Sequence, residues 1–198
     1  DSFTTEDITE AQYNYIKDYV NNAYKSLKNG NYEDYYEVDS VINYFLLQEL
    51  FMNIDQDYSS VFFYKPVDGK INYGPVWDFD ISIGNANYYD SYGPEMKMKD
   101  VNTGSYTFYT LMDYPKFRTA FMNRLSEIEP IVNKMLDSIS LNYNIVKDYA
   151  KNDDKIWNTL NRSFWPKPAN LVGITYYEQL SYIKDYIETH YEYMIENY

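Results

Sequence analysis

Apolar and aromatic positions recur at helical spacing over most of this chain. From Thr5 to Lys28 they fall at Ile8, Tyr15, Ile16, Tyr19, Val20, Ala23 and Leu27, which predicts a helix with one core-facing stripe that ends at Asn29 and Gly30. Asp39 then stands as N-cap before SVINYFLLQELFM, where Val41, Ile42, Phe45, Leu46, Leu50 and Phe51 cover most of the helix surface. Such a helix belongs in the centre of a core. It also hands the chain directly to Asn53 and Asp55.

The period changes next. Val61 to Tyr64 and Lys70 to Tyr73 are short runs of aromatic and β-branched residues joined through Pro66, Asp68 and Gly69, which predicts one β-hairpin. The polar stretch NANYYDSYGPEMKMKDVNTGSYT after Gly84 holds no sustained periodicity and reads as a long excursion following the hairpin. Helical spacing resumes through Phe108, Leu111, Phe117, Phe121, Leu125 and Ile128, with Pro115 suited to a helix start and Pro130 breaking or restarting the run. Leu136 to Ala150 and Asp154 to Leu160 are further helix candidates, and SFWPKPAN must turn or extend. A long closing helix is predicted over Thr175 to Tyr198, with Tyr176, Leu180, Ile183, Ile187, Tyr191 and Met194 on one face. The expected fold is mainly α with a small β-hairpin, in one domain over residues 1–198.

Composition removes several classes of function. A formal charge of −13 argues against nucleic acid and against anionic membranes. No run of about 18 apolar residues is present. The chain opens on Asp1 without a basic-then-apolar signal, so it reads as internal to a longer polypeptide. Zero cysteines exclude disulfides, thiolate zinc sites and cysteine nucleophiles, and one histidine excludes a His-rich metal site. The 26 tyrosines read as half-buried rings with wet hydroxyls.

The densest chemistry lies in NIDQDYSSVFFYKPVDGKINYGPVWDFDISIG, Asn53 to Gly84, where Asp55 and Asp57 precede the hairpin and Asp78 and Asp80 follow it. A hairpin returns on itself, so its flanks approach although the two leading carboxylates are 78 − 55 = 23 positions apart. Clustered carboxylates repel, and a divalent cation, a shared proton or a nearby Lys or Arg must offset that. Asp78, between Trp77 and Phe79, is expected in apolar surroundings where an unpaired carboxylate is costly. Asp57 and Asp68 read as turn residues. One carboxylate holding a metal and another beside a substrate hydroxyl would suit phosphoryl transfer.

The motifs GPVWDFD at Gly74 to Asp80, NID at Asn53 to Asp55 and FFYKPVDGK at Phe62 to Lys70 resemble the CotH kinase family of spore-coat and secreted bacterial proteins. YPKFRTAFMNRL and the terminal YIKDYIETHYEYM are similar to later segments of that family. The resemblance implies an atypical protein kinase, its fold like a kinase C-terminal lobe, using ATP with Mg²⁺ or Mn²⁺ to phosphorylate Ser of secreted, cell-surface or coat proteins of a bacterium. It implies Asp55 as the catalytic aspartate and Asp78 as the metal ligand, with Asp80 assisting. Ser60 stands where kinase logic expects an Asn metal ligand and is the candidate in its place. No G-x-G-x-x-G loop and no V-A-I-K-like strand is present, so the phosphate-gripping N-terminal lobe is expected outside this chain. The acidic charge suggests a basic acceptor segment.

A different class fits part of the pattern. Asp55-Gln56-Asp57 hints at Ca²⁺ ligation in a calcium- or glycan-binding structural module, although no Gly and Glu stand at the positions an EF-hand requires. His190 reads as a surface residue, and Trp157 and Trp165 as core or hinge packing.

Overall fold

The computed structural model describes residues 8–56, 59–87, 93–101 and 105–198. The order is α1 (Glu10–Asn29), α2 (Val38–Leu50), β1 (Phe63–Tyr64), β2 (Asn72–Tyr73), α3 (Tyr106–Met112), α4 (Pro115–Glu127), α5 (Glu129–Trp157) and α6 (Tyr176–Asn197). Among the described residues the fold is mainly helical with one two-stranded antiparallel sheet, as expected from the periodicity.

Helix α2 is the centre. It packs against α4, β2 and α6, while α5 runs along α6. Its buried residues include Val41, Ile42, Phe45, Leu46 and Leu50, and also Tyr44, Gln48 and Glu49, so it is covered nearly all round. The rings of Phe45, Phe108 and Phe121 form a chain with centroids 5.2 and 5.0 Å apart that joins α2 to α3 and α4. Tyr73 on β2 closes on Phe45 at 5.1 Å, which seats the hairpin on this core. Its register pairs Phe63 with Tyr73 and Tyr64 with Asn72. Ile71 then bonds the backbone of Tyr35 and Glu37 at 2.8 Å each, and the Tyr73 N–H donates to Ser40 Oγ at 3.1 Å. The hairpin is thus tied to the entry of α2, while Asn53 leaves its exit.

Several boundaries differ from the periodicity. Helix α1 begins at Glu10, not near Thr5, because Thr9 caps it: its hydroxyl accepts from Gln12 N–H and its own N–H donates to Gln12. Residues Thr5–Asp7 lie outside the described residues. Only the C-terminal half of the α1 stripe is buried, at Ala23 and Leu27; Tyr15, Ile16 and Val20 are exposed. Gly30 ends the helix at φ 82°, a left-handed conformation natural to glycine. The N-cap of α2 is Glu37; Asp39 lies within the first turn and faces Arg124 at 3.7 Å. The segments read as separate helices, Leu136 to Ala150 and Asp154 to Leu160, are one, α5, since nothing between them breaks the backbone ladder, and it ends at Trp157, before Leu160, with Asn158 left-handed at φ 50°. Beyond Leu136 that helix has no fully buried residue. Trp157 and Trp165 are accordingly 61% and 72% exposed, not core or hinge packing.

Candidate active site

Asn53 positions the site. It is buried directly after α2, its backbone N–H bonded to the Gln48 carbonyl at 3.0 Å. Its side-chain amide donates to the Asp78 carbonyl at 3.4 Å while its Oδ1 accepts from the Asp55 N–H at 3.4 Å. One amide therefore reaches both flanks of the hairpin. Around it Met52, Ile54, Ile81, Ala86, Met98, Val101 and Tyr186 form a second apolar cluster that anchors the two acidic segments.

The side chains of Asp55 and Asp78 are joined by two hydroxyls. Ser59 Oγ donates to Asp55 Oδ2 at 2.7 Å, lies 3.5 Å from Ser60 Oγ, and Ser60 Oγ donates to Asp78 Oδ2 at 3.0 Å. Ser60 and Asp78 both hold left-handed backbone, at φ 55° and 62°. That conformation costs a non-glycine residue roughly 1–2 kcal/mol, and strain of this kind concentrates at functional sites. Among the described residues neither carboxylate pairs with Lys or Arg. The donor set is entirely oxygen, two carboxylates and two hydroxyls, which suits Mg²⁺ or Mn²⁺ and not a thiolate or imidazole metal.

Asp55, Ser60 and Asp78 are brought together, with Ser59 as the bridging residue that sequence reasoning passed over. Its one signal was position, four after Asp55 and next to Ser60. Asp80 stands apart. Its backbone carbonyl accepts from Asn85 at 2.7 Å, and its residue is exposed at the rim of a neighbouring cavity. Among the described residues no three His, Cys, Asp or Glu side chains form one group. Asp57 lies outside the described residues, and Asp68 sits in the hairpin turn as expected. The environment expected for Asp78 is corrected: it is exposed, as is Trp77, because the segment Pro75–Asp78 runs along the surface.

His190 is the largest departure. It is fully buried, with Nδ1 2.7 Å from the Pro94 carbonyl and Nε2 2.8 Å from the Glu49 carbonyl. The spacing contained this: His190 lies seven residues after Ile183 and four before Met194, two turns along the same buried face. Beside it the buried Glu49 carboxyl accepts from Met98 N–H and from Tyr109 Oη, both at 2.9 Å. Burial raises the Glu49 pKa, with the bonds from Tyr198, Met98 and Tyr109 acting against it. Burial also lowers the His190 pKa, with the two carbonyls acting against it. Together they pin the stretch around Pro94 to Met98 onto the last turn of α2, the turn that launches Asn53 and Asp55.

A mainly helical fold whose hairpin, the one strand pair among the described residues, sets two aspartates into one hydroxyl-bridged site is the class that fold and geometry define. The family model described as CotH kinase protein matches residues 1–194, nearly the whole chain, and the protein belongs to the CotH kinase family. No curated protein and no solved structure matches it. No helix among the described residues is long and apolar enough to cross a membrane.

Proposed function

We propose that this chain carries the catalytic and metal-holding side of an ATP-dependent protein kinase that phosphorylates Ser of secreted, cell-surface or coat proteins of a bacterium. The supporting observation is the hydroxyl-bridged pair. Ser59 Oγ rests 2.7 Å from Asp55 Oδ2, so that oxygen already accepts a serine hydroxyl at the distance a general base needs. An acceptor Ser would take the same place. Its oxygen attacks the γ-phosphorus, its proton passes to Asp55, and the bond to the ADP oxygen breaks. Asp78, with Ser60 beside it, would hold Mg²⁺ or Mn²⁺, and Asp80, at the neighbouring cavity, is not part of this set; when bound, the ion supplies positive charge against the phosphate oxygens. The Gly-rich loop and lysine that grip phosphate belong, in this reading, to residues outside this chain. The charge of −13 favours a basic acceptor segment.

The test uses the protein that carries this domain, with labelled ATP, Mg²⁺ or Mn²⁺, and basic Ser-bearing peptides. Asp55→Ala and Asp78→Ala should each lower transfer by at least about 100-fold. Bound Mn²⁺, read by electron paramagnetic resonance, should be lost in Asp78→Ala and kept in Asp55→Ala. Undiminished transfer in Asp78→Ala removes it from the mechanism. Melting temperatures raised by Ca²⁺ and unmoved by nucleotide with Mg²⁺ would instead favour a calcium-stabilised structural module.

A further inference from the structure

A cavity of about 360 Å³ is lined by Phe79 and Asp80, next along the chain from Asp78, with neither Asp55 nor Asp78 in its walls. Its walls come from the turn after Asp78, from the segment that follows α5 and from the first turns of α6. Phe79, Leu160, Phe164, Pro166, Leu171 and Ile183 make them largely apolar. A volume of this size falls in the range of small-ligand sites, roughly 300–1,000 Å³.

One cation lines it. Lys167 is only 7% exposed, and its ammonium donates to the backbone carbonyls of Thr159 at 2.8 Å and Leu160 at 2.9 Å. An ammonium has three donors. The third has no acceptor among the described residues, and no carboxylate lies within ion-pair distance of Lys167. The ammonium stands over the Phe164 ring, 5.8 Å from its centroid, and the Asp154 carboxylate offsets its charge only from beyond ion-pair distance, so a partly compensated cation lines a cavity that opens to solvent. Asp80 stands exposed at the same cavity and supplies the opposite sign at the rim.

We propose that this cavity is a ligand site separate from the Asp55–Asp78 pair, and that it takes a monocarboxylate with an apolar body, its carboxylate on Lys167. The apolar body covers Phe79, Leu160 and Phe164. The Lys167 charge, already partly offset by Asp154, with Asp80 at the mouth selects a monoanion over a phosphate dianion, because the second negative charge would meet these carboxylates without a partner. It also asks that the outer end of the ligand be neutral or cationic. Two sources carry that chemistry, a free aromatic acid and the hydrophobic C-terminus of a polypeptide.

Isothermal titration of the folded chain with phenylacetate and with N-acetyl-Leu-Phe, each beside its amide, tests the assignment. Both carboxylates should bind and both amides should bind at least about tenfold more weakly, since a charge-assisted bond is lost. Tighter binding of the peptide identifies a polypeptide C-terminus as the source, and tighter binding of phenylacetate a free acid. Lys167→Met, which keeps the apolar stem, should remove the preference for carboxylate over amide, with melting and circular dichroism recorded alongside. Leu160→Trp fills the cavity while leaving Lys167 in place, and should abolish binding; Asp80→Asn should tighten it. Failure of every probe to bind the parent chain, equal binding of acids and amides, or binding unchanged in Leu160→Trp overturns the proposal. None of these readouts depends on phosphoryl transfer.

Discussion

Ser60 donates its hydroxyl to the Asp78 carboxylate across 3.0 Å while both residues hold left-handed backbone. The pairing fixes the carboxylate from a residue 18 positions earlier in the chain. Asn tolerates left-handed backbone better than Ser and presents a carbonyl oxygen to a hard cation. Ser60→Asn should therefore keep or raise the melting temperature and tighten Mn²⁺ binding several-fold, whereas Ser60→Ala should weaken it. Paramagnetic resonance titration with Mn²⁺ checks both, and equal affinities in the two variants would show that Ser60 has no part in holding the ion.

Gly84 has φ 69°, and a Cβ there would collide with Tyr182 Oη and approach Tyr186 at 2.9 Å. Gly84→Ala combines left-handed strain with overpacking against the half-buried Tyr182 and the buried Tyr186, and should cost about 2–4 kcal/mol in urea unfolding. Pairing it with Tyr182→Phe removes the hydroxyl and should recover part of that loss.

Glu49 and His190 give opposite pH dependences. The unfolded chain protonates His190 near 6.5, while burial holds the folded value lower. Stability from this group is thus complete above 6.5 and is lost as pH falls through the lowered value. The folded Glu49 keeps its proton above the ordinary 4.5, so the stability it contributes is complete below 4.5 and is lost as pH rises through the raised value. Each group sets a limiting slope of about 1.4 kcal/mol per pH unit. Denaturation curves between pH 4 and 8 should flatten on the acidic side in His190→Gln and on the alkaline side in Glu49→Gln. Identical pH profiles in parent and variants would contradict these directions.

Phe108 joins α2 to α4, with Phe45 at 5.2 Å and Phe121 at 5.0 Å on either side. Phe108→Ala leaves a cavity between three helices and should cost about 3–5 kcal/mol in chemical denaturation, whereas Phe108→Leu should cost less than half of that.

Helix spacing, turn residues and caps are local properties, and they made most of the architecture legible in the chain itself. The central position of α2 followed from its apolar coverage, the hairpin from Pro66, Asp68 and Gly69, and the closing helix from its stripe. The motifs around Asp55 and Asp78 carried the family. Long-range partners follow no local rule, and only the tertiary structure decided them. It placed Ser59 and Ser60 between two aspartates, exposed Asp78 and Trp77, and left half of the α1 stripe uncovered. His190 shows the division most clearly. The sequence reading put it on the surface although its spacing from Ile183 and Met194 fits the buried face, and the Pro94 and Glu49 carbonyls within hydrogen-bond distance of its ring come from 96 and 141 residues away.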